Sequence, residues 1–93
     1  MALQARLTII GRVQGVGYRD WAVATGRRLG LTGWVRNRSD GAVEALIVGD
    51  EAAVGRMIEA CRHGPSLARV DEIDVDPVDL DVLPEGFTRL PTA

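Results

Sequence analysis

The sequence contains no lysine, a single cysteine (Cys61) and a single histidine (His63). The lack of lysine excludes Schiff-base chemistry and a lysine-dependent phosphate loop in this chain, so every fixed cation is an arginine. One cysteine and one histidine exclude an internal disulfide and a Cys/His metal cluster within one chain. His63 precedes Gly64-Pro65 at the predicted end of a helix, where it suits a partner of the helix dipole better than a catalyst.

Long apolar runs are also missing. None approaches the length of a membrane-spanning helix, and residues 1–10, which include Arg6, lack the apolar core of a signal peptide. We therefore expect a soluble, cytoplasmic protein that does not bind membranes. With 93 residues, of which 46% are hydrophobic and 26% charged, residues 1–93 are expected to form a single domain around one two-layer core.

Positive charge is concentrated in the first part of the chain. Residues 1–38 hold seven arginines and one aspartate, whereas residues 39–93 hold four arginines and twelve acidic residues, and the net charge is −2. Nucleic-acid binding without sequence preference needs a broad basic face, which this composition does not provide. Binding of single-stranded RNA by a sheet would need aromatic residues beside basic ones, and two of the four aromatic residues lie in a predicted helix. We expect no nucleic-acid partner.

Hydrophobic periodicity in the first half of the chain predicts a strand, a helix and a hairpin. Apolar residues alternate with polar ones from Leu3 to Ile9, as in a strand with one buried face. Apolar positions at helical spacing predict a helix from Tyr18 to Leu29, with Gly30 at the position that often ends a helix. Residues 31–37 and 43–47, joined through the Asp40-Gly41 turn, predict a β-hairpin.

The second half of the chain predicts one more helix and at least one more strand. Asp50 is expected to cap a helix that ends at Gly64-Pro65 and buries Val54, Met57, Ile58 and Cys61 on one face, so we expect Cys61 to be a core residue rather than a reactive thiol. Val70, Ile73 and Val75 predict a strand with a bulge near Asp71-Glu72. The acidic residues of 71–85 are expected to form a solvated, aggregation-resistant edge rather than a calcium site. Alternation continues through residues 78–82, and residues 86–90 could form a short last strand.

This order of elements predicts the fold class. Two βαβ-type units with right-handed crossovers fold most simply into a four-stranded antiparallel sheet with both helices on one face. We therefore predict an α+β, ferredoxin-like two-layer sandwich (βαββαβ). Gly26, inside the first helix, should cost about 1 kcal/mol relative to alanine unless another element packs closely against it.

Residues 11–19, which connect the first strand to the first helix, have the composition of an anion site. Gly15 and Gly17 can adopt positive φ and turn consecutive N–H groups toward one point, to which the start of the helix adds unpaired amides. Arg19 can offer a planar fork of donors to two phosphate oxygens. Spacing alone fits a flexible connector with solvated arginines equally well, because the segment matches neither a Walker loop nor G-x-G-x-x-G.

Asn37, at the end of the second predicted strand, is a turn residue or a water-binding residue. If it meets the glycine loop, the pocket combines an anion hole, a guanidinium and a carboxamide, without an obvious general base. A phosphate ester expels an alkoxide and normally needs an acid or a metal ion, whereas a carboxyl–phosphate anhydride expels a carboxylate whose conjugate acid has a pKa of about 4. Such a pocket therefore favours an acyl phosphate as the substrate.

Four segments resemble the acylphosphatase family in order and spacing: Gly-Arg-Val-Gln-Gly-Val-Gly-Tyr-Arg (11–19), Gly-Leu-Thr-Gly-Trp-Val-Arg-Asn (30–37), Asp-Gly-Ala-Val-Glu (40–44) and Gly-Pro-Ser-Leu-Ala-Arg-Val (64–70). The resemblance extends from the first strand to about Val70 and is weak in residues 71–85. It implies a ferredoxin-like fold and hydrolysis of acyl phosphates to a carboxylate and inorganic phosphate, without a metal ion or a cofactor.

The resemblance also implies the site residues. Arg19 and Asn37 would be catalytic, with Arg19 binding the phosphoryl group and Asn37 orienting the attacking water. The backbone amides of the loop would bind the phosphoryl group together with Arg19; these belong to Gln14, Gly15, Val16, Gly17, Tyr18 and Arg19. We expect a monomer that inorganic phosphate inhibits as a product. A non-catalytic anion-sensing or maturation module that uses the same loop is the competing hypothesis.

Overall fold

The computed structural model describes residues 2–93, so Met1, the first residue of the predicted domain, lies outside the described residues. Two helices pack on one face of a five-stranded sheet. The elements in chain order are β1 (Ala2–Arg12), α1 (Tyr18–Arg28), β2 (Thr32–Asn37), β3 (Val43–Asp50), α2 (Glu51–His63), β4 (Arg69–Pro77) and β5 (Phe87–Arg89). The predicted order of the first six elements is confirmed.

The strands are arranged in the order β4-β1-β3-β2-β5. The first four strands pair antiparallel, as predicted, whereas β5 pairs parallel with β2, so the complete sheet is mixed. The strand-like continuation predicted through residues 78–82 is wrong. After Val78 and Leu80 donate N–H bonds to the main-chain and side-chain oxygens of Gln4, the chain leaves β4 and reaches the opposite edge of the sheet, where β5 begins.

The predicted bulge in β4 is confirmed. Ile10 pairs with Glu72 but the next residue, Gly11, pairs with Val70, which leaves Asp71 as the extra residue on the bulged strand. Gly11 has φ 141°, and a Cβ on it would collide with the carbonyl oxygen of Arg69. Glycine is therefore required where β1 passes the bulge and enters the loop.

The core lies between the sheet and the helices. Leu7, Ile9 and Ile47 from the sheet are fully buried against Met57 and Cys61 of α2. Burial raises the pKa of the Cys61 thiol to about 11, which keeps the group protonated and unreactive near neutral pH. The prediction that Cys61 is a core residue is confirmed.

Gly26 is explained by β5. A Cβ at position 26 would lie 2.7 Å from Cδ2 of the Phe87 ring, which is 1% exposed and has no room to move away. Glycine in α1 therefore allows β5 to pack closely against the helix, which is the condition under which its low helix propensity is tolerated.

Gly26→Ala is expected to lower the free energy of unfolding by about 1 kcal/mol, because overpacking a buried ring outweighs the gain in helix propensity. Gly55→Ala is the matched control, since Gly55 lies in α2 with open space around its Cα; this variant should gain up to about 1 kcal/mol. Urea denaturation of both variants measures the difference. Equal stabilisation of the two variants would contradict the role given to Phe87.

Candidate active site

The loop between β1 and α1 has the backbone geometry predicted for an anion site. Gly15 and Gly17 have φ of 73° and 80°, and Gly17, in the left-handed conformation, immediately precedes α1. Among residues 2–93 no side chain caps α1, whereas Asp50 caps α2 by accepting a 3.1 Å hydrogen bond from the N–H of Ala52. The first amides of α1 are thus left for another acceptor, and the positive end of the helix dipole favours an anion there.

A cavity of about 70 Å³ lies at this helix start. It is lined by residues of the loop, the first turn of α1 and the ends of β2 and β5, namely Val13, Gly15, Gly17, Tyr18, Arg19, Asp20, Asn37 and Arg89. Arg19 and Asn37, which are far apart in sequence, therefore border the same small cavity. Of the residues predicted to donate backbone amides, only Gln14 and Val16 are not in the lining.

Arg19 lies in the first turn of α1 and is partly buried. No ion pair among residues 2–93 involves Arg19, so its charge is not neutralised by a carboxylate of this part of the chain. A guanidinium held at a helix N-terminus beside free amides is suited to bind an anion with two oxygens in its plane.

Asn37 is the last residue of β2 and pairs with Val43 of β3. Its side-chain Oδ1 atom is buried and has no hydrogen-bond partner within residues 2–93. An unsatisfied buried acceptor costs about 1–3 kcal/mol, so such atoms are uncommon and call for a functional explanation. Asn37 also lines the cavity, and its carboxamide is suited to hydrogen-bond a water molecule or a substrate bound there.

The side chain of Gln14 holds the loop in place. Its Nε2 donates hydrogen bonds to the main-chain oxygens of Arg38 (2.8 Å) and Ala42 (2.9 Å), at the two ends of the β2–β3 turn. These bonds tie the loop to the residue that follows Asn37 and so keep the loop and the end of β2 together. The family resemblance implied a role only for the backbone amide of Gln14, and the role of its side chain was not predicted.

Tyr18, the first residue of α1, anchors the start of this helix to α2. Its ring is 2% exposed, and its hydroxyl donates a 2.5 Å hydrogen bond to the carbonyl oxygen of Cys61 near the end of α2. Burial raises the pKa of this hydroxyl, so it stays protonated and remains a donor. The ring also contacts Trp21 edge-on, with centroids 5.3 Å apart.

Asp20 and Arg89 were not predicted as site residues, although both line the cavity. Nη1 of Arg89 donates a 2.7 Å hydrogen bond to Oδ1 of Asp20. One feature of the sequence could have indicated Arg89, because alternation in β5 places it on the same face of the sheet as the buried Phe87. What the sequence does not contain is the pairing of β5 with β2, which brings Arg89 to the site.

Three further features of residues 2–93 concern metal ligands, a second concavity and membrane-crossing helices. Among residues 2–93, no three His, Cys, Asp or Glu side chains are grouped as metal ligands would be. A larger concavity, of about 480 Å³, lies on the face of the sheet away from the helices and is lined in part by Thr8, Ile10 and Asp74. It contains none of the predicted site residues.

Within residues 2–93, no helix combines the length and the apolar character needed to cross a membrane.

Comparison with known proteins points to one family. The acylphosphatase family model matches residues 5–88. The chain is 57% identical over 84 residues to an acylphosphatase of Rhodospirillum rubrum, a match covering 90% of this chain and 91% of that one. It is 50% identical over 92 residues to an acylphosphatase of Nitrobacter winogradskyi, which covers 94% and 93% of the two chains.

A solved structure gives the same result. The crystal structure of acylphosphatase from Bacillus subtilis superposes with a TM-score of 0.90 at 36% identity, over 97% of this chain and 99% of that one. The resemblance noted in the four sequence segments thus extends to β5, which lies within the matched region except for its last residue. On these grounds the chain belongs to the acylphosphatase family.

Proposed function

We propose that this protein hydrolyses the carboxyl–phosphate anhydride bond of small acyl phosphates, with residues 1–93 acting as one acylphosphatase domain. The observation that carries the proposal is the shared cavity. Arg19, Asn37 and the residues of the helix start, which no side chain among residues 2–93 caps, line one space of about 70 Å³, a size suited to a phosphoryl group.

Binding of the phosphoryl group is assigned to the loop and Arg19. The backbone amides of residues 14–19 would donate to its oxygens, and the Arg19 guanidinium would bind two of them side by side. The side chains of Gln14 and Tyr18 hold the loop and the start of α1, which carry the backbone donors, before substrate arrives. Fixed dipoles stabilise the charge of a loose phosphoryl-transfer transition state without reorganising during the reaction.

The attacking water is assigned to Asn37. One O–H of the water would donate to Oδ1 of Asn37, which directs the oxygen lone pair at phosphorus. The new O–P bond forms as the bond between phosphorus and the acyl oxygen breaks, and the electron pair leaves with the carboxylate. The remaining proton of the attacking oxygen passes to a phosphoryl oxygen of the substrate, so no protein base is required.

The leaving group sets the remaining requirements. A carboxylate departs at neutral pH without protonation, because its conjugate acid has a pKa of about 4. We therefore propose that the reaction needs neither a metal ion nor a cofactor and that inorganic phosphate inhibits it by occupying the same cavity. We further propose a monomeric, cytoplasmic enzyme without nucleic-acid or membrane partners; sedimentation at increasing protein concentration tests the monomer.

Hydrolysis of acetyl phosphate by the purified protein in excess chelator is the direct test. We expect the same rate with and without the chelator, and no measurable hydrolysis of an alkyl phosphate ester, whose alkoxide needs an acid or a metal to leave. Loss of activity on chelation would contradict the mechanism. Phosphate binding with acetyl phosphate left at its uncatalysed rate would instead support the non-catalytic anion-sensing module.

A further inference from the structure

We propose that Arg89 is a second cation of the phosphoryl site, binding the anion together with Arg19, and that Asp20 is the residue that positions it. This inference rests on the proposed function, since it assigns another residue to the same cavity. It concerns a residue in the last strand, outside the four segments that carry the sequence resemblance.

The sheet places Arg89 beside Asn37. In the parallel pairing of β5 with β2, Gly33 is opposite Phe87 and Val35 is opposite Arg89. Asn37 follows Val35 by two residues, so it shares with Arg89 the face of the sheet on which the helices pack. Arg89 therefore extends from the strand next to Asn37 toward the first turn of α1.

Asp20 limits the range of the Arg89 side chain. The 2.7 Å bond joins Nη1 of Arg89 to the residue that follows Arg19 in α1. This is the one side-chain hydrogen bond of Arg89 within residues 2–93, and it leaves Nε and Nη2 as donors. Both residues of the pair line the cavity, so an anion bound there could use these remaining donors.

The charge of the ligand explains why a second arginine would strengthen its binding. A phosphoryl group carries close to two negative charges, whereas Arg19 supplies one positive charge and the loop amides supply partial ones. The side chains of Arg89 and Asp20 are 48% and 77% exposed, so water screens the pair and its contribution to fold stability is small. A half-exposed guanidinium that contacts the anion would still strengthen binding by about tenfold.

The test measures the dissociation constant of inorganic phosphate by calorimetry, at fixed ionic strength. Arg89→Gln should raise this constant about tenfold and raise KM for acetyl phosphate by a similar factor, with kcat changed less than about threefold. Arg89→Lys, which keeps the charge but not the planar fork, should fall between Arg89→Gln and the unmodified protein. Arg28→Gln is the matched control, because this exposed arginine lies at the opposite end of α1 and its loss changes the net charge equally.

A second pair of variants separates direct binding from simple neutralisation of Asp20. Arg89→Gln leaves an unpaired carboxylate at the cavity, which would repel phosphate even if Arg89 never touched it. If Arg89 binds the anion, Asp20→Asn combined with Arg89→Gln should still bind phosphate at least about threefold more weakly than Asp20→Asn alone. Equal constants for these two proteins would overturn the proposal, as would an unchanged constant in Arg89→Gln.

Asp20 is tested as a positioning residue by the same measurement. Arg89→Gln should raise the dissociation constant of phosphate by a smaller factor in the Asp20→Asn background than in the unmodified protein. In the Asp20→Glu background, which keeps the carboxylate, this factor should return toward its value in the unmodified protein. Phosphate binding does not depend on turnover. A protein that binds phosphate through Arg89 but does not hydrolyse acetyl phosphate would refute the proposed function alone, whereas an active enzyme indifferent to Arg89→Gln would refute only this inference.

Discussion

Arg19→Gln is expected to lower kcat/KM for acetyl phosphate by about 10³-fold and to abolish inhibition by inorganic phosphate. Arg19 lies at the start of α1, borders the cavity and has no carboxylate partner among residues 2–93. Its positive charge would therefore stabilise the bound phosphoryl group in both the ground state and the transition state. Steady-state kinetics and phosphate calorimetry measure the two losses.

Two variants control for the substitution at Arg19. Arg19→Lys keeps the charge but cannot bind two oxygens in one plane, so we expect it to retain only part of the affinity. Arg28→Gln makes the same change of net charge at the opposite end of α1 and should leave both measurements unchanged. Undiminished hydrolysis in Arg19→Gln would refute the role assigned to this arginine.

Asn37→Ala is expected to lower kcat by about 10²-fold while the dissociation constant of inorganic phosphate stays nearly the same. The only buried side-chain oxygen without a partner among residues 2–93 belongs to Asn37. We assign that oxygen to the water rather than to the phosphoryl group, so its removal should impair attack and spare binding. The opposite pattern, with weak binding and normal turnover, would contradict this division of roles.

Stability measurements separate the proposed catalytic role of Asn37 from the alternative that it is only a turn residue. Removing a buried oxygen that has no partner should not destabilise the fold, so the free energy of unfolding of Asn37→Ala should not fall. The main-chain oxygen of Asn37, which accepts a 2.9 Å bond from the N–H of Ala93, is kept in the variant. Ser39→Ala, in the exposed part of the same turn, is the control. A large loss of stability in Asn37→Ala would support the turn interpretation instead.

The two sets of variants test different parts of one site. Arg19 and the loop amides depend on the conformation of residues 13–17, which Gln14 and Tyr18 hold through bonds to the hairpin turn and to α2. Asn37 depends on the end of β2. Because Gln14 joins these two regions, loop and strand form one preorganised unit rather than two independent pieces.

The sequence by itself determined the first six elements and the positive φ of Gly15 and Gly17 in the loop between β1 and α1. Alternation identified Ala5, Leu7 and Ile9 of β1 as buried, and the spacing in α2 identified Val54, Met57 and Cys61 as core residues. In β3 alternation was not a guide, because every residue from Val43 to Val48 is buried. The broken alternation after Val70 predicted a bulge near Asp71-Glu72, where the structure has Asp71 as the extra residue. These features are local, since they follow from side-chain periodicity and from the φ values that glycine permits.

Only the tertiary structure decided which distant residues meet. The pairing of β2 with β3 and the bonds of Gln14 bring Asn37 to the loop, a contact that spacing left open. The parallel pairing of β5 with β2 was not predictable from periodicity, because alternation fixes the face on which a side chain lies but not the neighbouring strand or its direction. For that reason only the structure shows that Arg89 and Asp20 line the cavity. It also shows that Phe87 of β5 leaves no room for a side chain at Gly26.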